Sequence, residues 1–431
     1  MSRPLPPGPP WPTSVQTLAW VARPKPFLRR AHERYGDVFT VRLRSGENFV
    51  MLAHPDAVKD VFTGDPEVFR AGEGNRALLA LVGPASIFLL DGDDHLRARR
   101  LMLPPFHGER MQRYATIMEE AALREIARWP AGEPVRVARR MQEVTLEVIM
   151  RAVFGVEDPG ELAELRRRLL HALDWLMEPL TLLRMMVHDP AGWPEWRPLR
   201  ERFRPVDEAL MEEVARRRGA PDLDRREDVL SLLLQARYED GSQMTDRELR
   251  DQLVSLLIAG HETTATAIGW AVERLLRHPG ALRLATEDAR DGDGSYLDAV
   301  CRETLRLRPV VPVVGRRLAE PRTVGGVDLP AGADLAPCIY LVHHRPDVYP
   351  DPYAFRPERF LDGKPGTYTW LPFGGGTRRC LGASFALFEM RVVLGALLRE
   401  RRLRAVSPAP ERTARRVVTL VPERGAEAVA A

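Results

Sequence analysis

The sequence has little of what marks a secreted, disulfide-stabilised or membrane-spanning protein. It contains three cysteines, Cys301, Cys338 and Cys380, and so small and odd a number argues against a disulfide framework. No segment approaches the ~20 consecutive apolar residues that span a bilayer. The proline-rich start, residues 1–12, lacks the layout of a signal peptide. We therefore expect a soluble, cytoplasmic protein.

An excess of charge of one sign is also missing. The 63 lysines and arginines are balanced by 60 acidic residues, which leaves a net charge of +3, so the bulk charge does not indicate nucleic-acid binding. Apolar residues at 45% and charged residues at 29% are typical of a globular protein. The length of 431 residues allows one large domain or two to three ordinary ones, and neither an internal repeat nor a low-complexity linker divides the chain.

The periodicity of apolar residues predicts a protein that is mainly α-helical with a small β-rich lobe. From about residue 56 to about residue 308 the pattern is helical, and a short helix is predicted before it at 26–35. An irregular stretch at 345–372 follows the helical part and leads to Cys380. Short strands are predicted on both sides of the helical part, at 38–43, 48–52, 310–314, 322–327 and 334–339.

The loop at residues 373–382 is the most informative motif. It follows the pattern Phe-x-x-Gly-x-Arg-x-Cys-x-Gly and ends in Cys380 and Gly382. A glycine-rich turn lets backbone amides approach the sulfur, and the helix expected at 383–398 directs its N-terminal dipole at the same atom. We expect both effects to favour a thiolate, which is a good axial ligand for heme iron. The alternative is a structural buried cysteine.

This loop resembles the heme-ligand loop of the cytochrome P-450 superfamily, the heme-thiolate monooxygenases, and the resemblance covers nearly the whole chain. It implies one cytochrome P-450 domain over residues 1–431, of the bacterial type. It also implies that heme b (iron protoporphyrin IX) is bound through Cys380 as the axial ligand of the iron. In membrane-bound relatives a hydrophobic anchor precedes a similar proline-rich hinge, whereas residues 1–12 place that hinge at the start of this sequence.

A long central helix is predicted at 245–277. Thr245 and Glu248 form a capping box at its start, and about 32 residues would extend over roughly 48 Å. The middle of the helix, 259–263, reads Ala-Gly-His-Glu-Thr. A glycine and polar side chains within an apolar helix predict a local kink with polar groups that face a reaction space.

The same segment is similar to the oxygen-activation motif of the superfamily. The resemblance implies that Glu262 and Thr263 are the catalytic acid and alcohol, which organise water and deliver protons to bound dioxygen. Alternatively, Thr263 bonds back to its own helix and Glu262 belongs to an ion pair. We expect His261, the variable position of the motif, to lie on the helix surface or on a channel wall.

Four cationic side chains match the positions at which the superfamily binds the heme propionates. His95 and Arg99 are four residues apart and share a helix face, and the other two are Arg317 and Arg378. Arg317 is the less secure assignment because Arg316 is adjacent. The alternative for each of these side chains, taken alone, is a solvated charge on the protein surface.

A further match concerns the support of the ligand loop. Glu303 and Arg306 lie three apart on a predicted helix, and the resemblance implies that they lock the loop together with Arg359. We assign these residues to folding and heme retention. A lone Glu-x-x-Arg is otherwise usually a solvated pair.

The resemblance also indicates a lipophilic substrate such as a fatty acid, terpenoid, steroid or polyketide-like molecule. Any one of the expected wall residues could instead be an ordinary core residue. Methionine and tryptophan residues from 175 to 196 predict an adaptable lid or, equally, a packed helical hairpin. The expected pocket residues are Leu78, Leu79, Val82, Ile87, Ala259, Val310, Val311, Val313 and Val314.

Electrons must come from outside because the chain has no room for a flavin or nicotinamide module. We expect a ferredoxin or flavodoxin with its reductase, docked on a basic face. Two other functions stay open: a peroxide-driven peroxygenase or isomerase, whose members usually lack the acid and alcohol, and a non-enzymatic heme gas sensor. The expected basic face comprises Arg97, Arg100, Arg110, Arg113, Arg379 and Arg391.

Overall fold

The computed structural model of the chain describes residues 4–44, 46–106, 110–156, 158–176, 181, 197–361, 363 and 365–430. Most of these residues are helical. The helices are α1 (Thr13–Ala22), α2 (Pro24–Tyr35), α3 (Pro55–Thr63), α4 (Ala71–Gly74), α5 (Leu79–Val82), α6 (Gly92–Met102), α7 (Arg110–Ala127), α8 (Val137–Phe154), α9 (Pro159–Leu176), α10 (Arg197–Arg218), α11 (Val229–Gln235), α12 (Asp246–Arg277), α13 (Pro279–Asp291), α14 (Ser295–Leu307), α15 (Ile339–His343) and α16 (Ala383–Glu400). Short 3-10 turns lie at Arg76–Leu78, Pro104–Phe106, Leu223–Arg225, Pro357–Phe360 and Gly376–Arg378.

The strands form a small lobe beside the helices. The main sheet has the order β1-β2-β8-β5-β3, in which β2 and β8 are parallel and the other pairs antiparallel. The smaller sheets of the described residues are β4-β12-β9 and the hairpins β6-β7 and β10-β11. The strands are β1 (Val38–Arg42), β2 (Asn48–Leu52), β3 (Phe69–Arg70), β4 (Pro134–Arg136), β5 (Arg316–Leu318), β6 (Arg322–Val324), β7 (Val327–Leu329), β8 (Asp334–Pro337), β9 (Leu403–Ala405), β10 (Thr413–Arg416), β11 (Thr419–Pro422) and β12 (Glu427–Ala430).

The long helix α12 is the axis of the helical body. Its predicted capping box is confirmed, because Thr245 accepts from the Glu248 amide and Glu248 accepts from the Thr245 amide. The helix is continuous through Gly260. A Cβ atom at Gly260 would lie 2.7 Å from Cδ1 of Ile149 on α8, so this glycine permits close packing of the two helices.

The largest hydrophobic core lies among α7, α8, α12 and α16, and two smaller apolar clusters lie beside the main sheet. The proline-rich start joins the sheet side of the molecule. Thr40 of β1 donates its backbone amide to Pro7 and its hydroxyl to Pro6. A Cβ atom at Gly8 would lie 1.9 Å from the Thr40 carbonyl oxygen, so the segment that we interpreted as a hinge is packed along β1.

The expected mainly helical fold with a small β lobe is the fold observed, but several local predictions are wrong. Residues 310–314 form no strand, and the strand begins at Arg316. The strand predicted at 322–327 is the hairpin β6-β7, which turns at Gly325 and Gly326. Helix α1 and the C-terminal hairpin β10-β11 were not predicted. Of the predicted lid, residues 177–180 and 182–196 lie outside the described residues.

Candidate functional site

The loop before α16 holds Cys380 against the helical body. Gly374 and Gly376 have positive φ angles of 68° and 64°, which glycine adopts without strain. A Cβ atom at Gly376 would also lie 1.8 Å from the carbonyl oxygen of Phe62 at the end of α3. The Cys380 amide donates to the Phe373 carbonyl at 2.9 Å, which closes the loop and places the sulfur just before the first turn of α16.

Cys380 combines two properties that are seldom found together. Its side chain has solvent-accessible surface. Protein atoms nevertheless surround the thiol on most sides, and this burial raises its pKa. A cysteine with both properties faces an internal space rather than bulk solvent. The Gly382 amide and the guanidinium groups of Arg99 and Arg379 act in the opposite direction but do not outweigh burial.

The expected effect of a loop amide on Cys380 is present, because the Gly382 amide lowers the pKa of the thiol, but burial raises that pKa by more. Desolvation disfavours the charged form of the Cys380 side chain, and the nearby donors offset only part of that effect. Metal coordination deprotonates a thiol outright. The Cys380 sulfur would therefore become a thiolate when it binds a metal ion.

One face of α12 is less buried than most of the helix. Leu256, Ala259, Gly260 and Thr263 are half-buried, whereas most of their neighbours on the helix are buried. Their spacing of three and four residues places them on one face. Thr264 donates a hydrogen bond to Glu389 of α16, so the middle of α12 packs against the helix that begins just after Cys380.

The acid and the alcohol of the central motif point in different directions. Thr263 donates its hydroxyl to the Ala259 carbonyl at 2.6 Å, which is the back-bonded geometry considered as the alternative. Glu262 lies 3.4 Å from Arg416 and from the Thr419 hydroxyl, both in the C-terminal hairpin. Consecutive residues of a helix do not face each other, so the two side chains are not a hydrogen-bonded pair.

Glu262 nevertheless has a raised pKa and remains in contact with solvent. Burial raises the pKa of its carboxyl, and Arg416 and Thr419 offset that effect in part. About a fifth of the side chain is exposed. Arg416 could not be found from the sequence, because the hairpin that carries it was not predicted.

His261 is buried, at 5% exposure, so of the two expected positions, the helix surface and a channel wall, the helix surface is wrong. Burial, followed by the charges of Arg139, Arg166 and Arg416, lowers its pKa to about 4. The imidazole is therefore neutral at physiological pH and packs between α12 and α8, where Thr145 donates to its backbone carbonyl at 2.7 Å.

Three guanidinium groups, those of Arg99, Arg316 and Arg378, and the imidazole of His95 converge near the ligand loop. Burial and then the charges of the three arginines lower the pKa of His95 to about 3, so its imidazole is neutral at physiological pH and is not the cation that we expected. Burial and mutual repulsion also lower the pKa values of Arg316 and Arg378 to about 10. Asp91 is the carboxylate that offsets part of this charge, since it accepts from Arg378 at 2.7 Å.

Arg317 does not lie with this group, whereas its neighbour Arg316 does. Arg316 and Arg317 are consecutive in β5, so their side chains lie on opposite faces of the sheet. Arg317 donates to Asp334 at 2.9 Å and lies 3.7 Å from Glu73. Arg316 is 7% exposed and lies with Arg378 and His95.

These observations fit heme. An enclosed but accessible cysteine offers a sulfur ligand to an iron ion. The cations beside it exceed the nearby negative charge, and carboxylate groups such as the two propionates of heme would balance them. The residues present are therefore those that a heme-thiolate site requires.

The side chains expected to lock the loop do meet. Arg306 and Glu303 are fully buried and form a bidentate pair at 2.6 and 2.7 Å. Arg306 also donates to the carbonyls of His343, Pro352 and Ala354. Arg359 lies 3.6 Å from Glu303 and donates to two carbonyls of the irregular stretch, those of Pro350 and Asp351.

The expected pocket residues fall into three groups. Val82, Ile87 and Val310 are buried. Val313 and Val314 are half-buried and pack against the two smaller apolar clusters. The other expected pocket residues are also half-buried: Leu78, Leu79, Ala259 and Val311.

The expected basic face is largely neutralised by local acids. Arg97 donates to Asp240 at 2.5 Å, Arg100 forms an ion pair with Glu239, and Arg113 pairs with Glu227. Arg379 is exposed, Arg391 lies over the Phe388 ring, and the side chain of Arg110 lies outside the described residues. The uncompensated charge on this face is smaller than the sequence suggested.

Comparison with known proteins agrees with this geometry. The model of the family described as Cytochrome P450 matches residues 6–426. The chain is 46% identical to cytochrome P450 135B1 of Mycobacterium tuberculosis, over 98% of this chain and 90% of the relative. It is 40% identical to cytochrome P450 138 of the same organism, over 99% and 96%.

A solved structure of the cyanobacterial protein CYP120A1 with retinoic acid bound has the same fold. Its TM-score is 0.84, the two chains are covered completely, and the sequence identity is 24%. Among the described residues of the present chain, no helix is both long and apolar enough to cross a membrane.

Proposed function

Because this chain belongs to the cytochrome P450 family, whose cofactor is a heme with a thiolate ligand, we propose that it is a monooxygenase of lipophilic substrates. It would insert one oxygen atom of dioxygen into a fatty acid, terpenoid, steroid or polyketide-like molecule. The observation that carries the proposal is the enclosed, accessible Cys380 together with the half-buried face of α12 around Thr263.

Cys380 would hold the heme iron, and His95, Arg99, Arg316 and Arg378 would hold the propionates. Heme bound in this way supplies the iron at which dioxygen binds and its O–O bond is cleaved. The lock of Glu303, Arg306 and Arg359 would keep the ligand loop in place when the cofactor binds. The propionate assignment rests on the excess of buried cations over carboxylates described above.

Thr263 would hold the proton that the reaction consumes. Its hydrogen is directed at the Ala259 carbonyl, so its oxygen is free to accept a hydrogen bond from a water molecule on the open side of the helix. A small rotation of the hydroxyl then makes it a donor toward the reaction space. Glu262, with its raised pKa and partial exposure, would replenish protons from solvent.

Apolar side chains would bind and orient the substrate and exclude water. Leu78, Leu79, Ala259 and Val311 present accessible apolar surface, which favours a lipophilic ligand. Electrons would come from a ferredoxin or flavodoxin and its reductase. Because local acids pair with Arg97, Arg100 and Arg113, docking would rely chiefly on Arg379 and would depend only weakly on salt.

The first experiment tests the ligand. The heme-loaded protein, reduced and exposed to carbon monoxide, should give the absorption band typical of sulfur-ligated heme, and Cys380→His should abolish that band while heme is retained. The absence of the band from the unmodified protein would refute the proposal.

The second experiment tests the reaction. A library of fatty acids, terpenoids, steroids and macrolides is screened for displacement of the Soret band, and a binder is incubated with dioxygen, ferredoxin, reductase and NADPH. In Thr263→Ala, product formed per reductant consumed should fall about tenfold or more, because a positioned proton donor contributes roughly 10²–10⁴-fold. Thr263→Ser keeps the hydroxyl and is the matched control.

The same assay separates the alternatives. Product from peroxide alone, with none from dioxygen and reductant, would favour a peroxygenase. Tight binding of dioxygen or carbon monoxide without product from any library member would favour a gas sensor.

A further inference from the structure

A second group of buried cations surrounds Trp270, a fully buried side chain of α12. The Nζ atom of Lys25, near the start of α2, lies 5.5 Å from the centre of the Trp270 ring and 5.8 Å from that of Tyr340. The guanidinium of Arg308, which directly follows α14, lies 5.3 Å from the Trp270 ring. Arg274, one turn further along α12, is 7% exposed and acts electrostatically on both.

The negative charge available to this group is already engaged. Among the described residues, Glu273 is the carboxylate that offsets the charge of Lys25 and Arg308. It accepts two hydrogen bonds from Arg274 at 2.5 and 2.6 Å and one from the Glu411 amide at 3.1 Å. Arg277 lies 3.6 Å from the same carboxylate. Lys25 and Arg308 therefore share almost no compensating charge.

The electrostatic cost is visible on both side chains. Burial, and then the charges of Arg308 and Arg274, lower the pKa of Lys25 far below its usual value. Burial and Arg274 lower the pKa of Arg308 to about 10. The other titratable groups that face them, Tyr340 and His344, bring no anion at neutral pH, because burial raises the pKa of Tyr340 and lowers that of His344.

Donor capacity at this place is unused. Arg308 donates Nη1 to the Leu307 carbonyl at 3.1 Å, but its buried Nε atom has no hydrogen-bond partner. Lys25 is half-buried, so the group can be reached from solvent. The aromatic faces of Trp270 and Tyr340 attract cations but carry no net charge, and they leave the mutual repulsion in place.

We propose that Lys25 and Arg308 form a second anion site, separate from the propionate cations, which binds one phosphate or carboxylate group beside Trp270. The planar guanidinium of Arg308 would bind two oxygen atoms, and Lys25, which would take up a proton as the anion binds, would contact one of them or, in phosphate, a third oxygen. The site is also linked to the expected substrate wall, since Arg308 is followed by Pro309 and Val310 and Trp270 donates to the Leu420 carbonyl at 2.9 Å.

The experiment uses the heme-loaded protein and two probes, inorganic phosphate and butyrate, each at ionic strength matched with sodium chloride. Isothermal titration should give one site per chain, and saturation at about 100 times the dissociation constant should raise the Tm by about 3 °C. Lys25→Met should lose the binding and the shift, and Lys25→Arg should retain both. Arg23→Met removes an exposed cation next to the site and is the matched control.

We also expect the order of stability of the unmodified protein and Lys25→Met to reverse when an oxyanion is added. Without an oxyanion, Lys25→Met should be at least as stable as the unmodified protein, because it removes a buried amine whose charged form is disfavoured by burial, Arg308 and Arg274. With saturating phosphate or butyrate the unmodified protein should be the more stable of the two.

Binding of only one of the two probes would identify which acid group the site prefers and would support the proposal. Equal shifts in Lys25→Met, or shifts that chloride reproduces, would overturn it, and the carbon monoxide spectrum of each variant shows whether the heme site is intact.

Discussion

Glu389 shows how burial sets the charge of a single residue near the site. It is 1% exposed on α16, accepts a hydrogen bond from Thr264, and its Oε1 atom has no partner. Burial raises the pKa of this carboxyl to about 8. Sequence reasoning missed it because a glutamate in a helix after the ligand loop has no distinguishing pattern.

The raised pKa makes the stability of the protein depend on pH. Between the ordinary glutamate pKa of 4.5 and the raised value of about 8, the folded state holds a proton that the unfolded state releases. The contribution of Glu389 to stability is therefore lost as pH rises through this window. The slope approaches about 1.4 kcal/mol per pH unit. Glu389→Gln should remove it, so urea unfolding of the two proteins should diverge in favour of the variant as pH increases from 5 to 8. Parallel curves would contradict the assignment.

Arg316 and Arg317 allow a second test at the residue scale. Arg316→Gln should speed heme transfer to apomyoglobin about 10- to 100-fold, because a hydrogen bond to a charged group contributes about 1.5–3 kcal/mol. Arg317→Gln is the neighbouring control, and its effect should be within about threefold because its partners are Asp334 and Glu73. A larger effect for Arg317→Gln than for Arg316→Gln would indicate that Arg317, and not Arg316, binds a propionate.

At the scale of elements, the C-terminal hairpin supplies the polar partners of Glu262 on α12. Strands β10 and β11 bring Arg416 and Thr419 to Glu262, and Trp270 of α12 holds the hairpin through the Leu420 carbonyl. Val417 at the turn has a φ of 50°, which is costly for a β-branched residue. A strained turn that places two polar groups on a buried acid is consistent with a functional role of the hairpin.

This arrangement predicts a shift in the pH profile. Arg416 lowers the pKa of Glu262 against the effect of burial, so Arg416→Met should move the Glu262-dependent limb of coupled turnover to higher pH. The limb should be absent in Glu262→Gln. The exposed neighbour Arg412 offers the control, since Arg412→Met should leave the profile unchanged. An unshifted limb in Arg416→Met would show that the hairpin does not tune the acid.

At the scale of the whole molecule, the lock of α14 joins the helical body to the irregular stretch before the ligand loop. Arg306 reaches the carbonyls of His343, Pro352 and Ala354 while it is paired with Glu303. Both side chains are fully buried, so the loss of either charge leaves the other uncompensated.

Glu303→Gln should therefore cost about 3–5 kcal/mol of unfolding free energy and lower the heme content of the purified protein. The control lies on the same helix, where Asp298 and Arg302 form an ion pair that is about one third exposed. Asp298→Asn should cost no more than about 1 kcal/mol. Denaturant unfolding and the heme-to-protein absorbance ratio measure both effects, and similar costs for the two variants would argue against a lock.

The sequence by itself determined the features that depend on local chemistry. The spacing around Cys380 indicated the ligand loop, the Thr245 and Glu248 box gave the start of α12, and Glu303 and Arg306 indicated a pair one turn apart. In each case the partners are close in the chain, so helical or turn geometry alone decides whether they meet.

Only the tertiary structure decided which side chains that are distant in the sequence lie close together and interact electrostatically. It separated Arg316 from Arg317 by the alternation of β5, gave Glu262 a partner from a hairpin near the C-terminus, and placed Lys25 and Arg308 at the Trp270 ring. It also added a desolvation of the Cys380 thiol that outweighs the effect of the Gly382 amide, because desolvation depends on how many atoms surround a group in space. Burial and long-range electrostatics arise from the packing of the whole chain, and no local pattern encodes them.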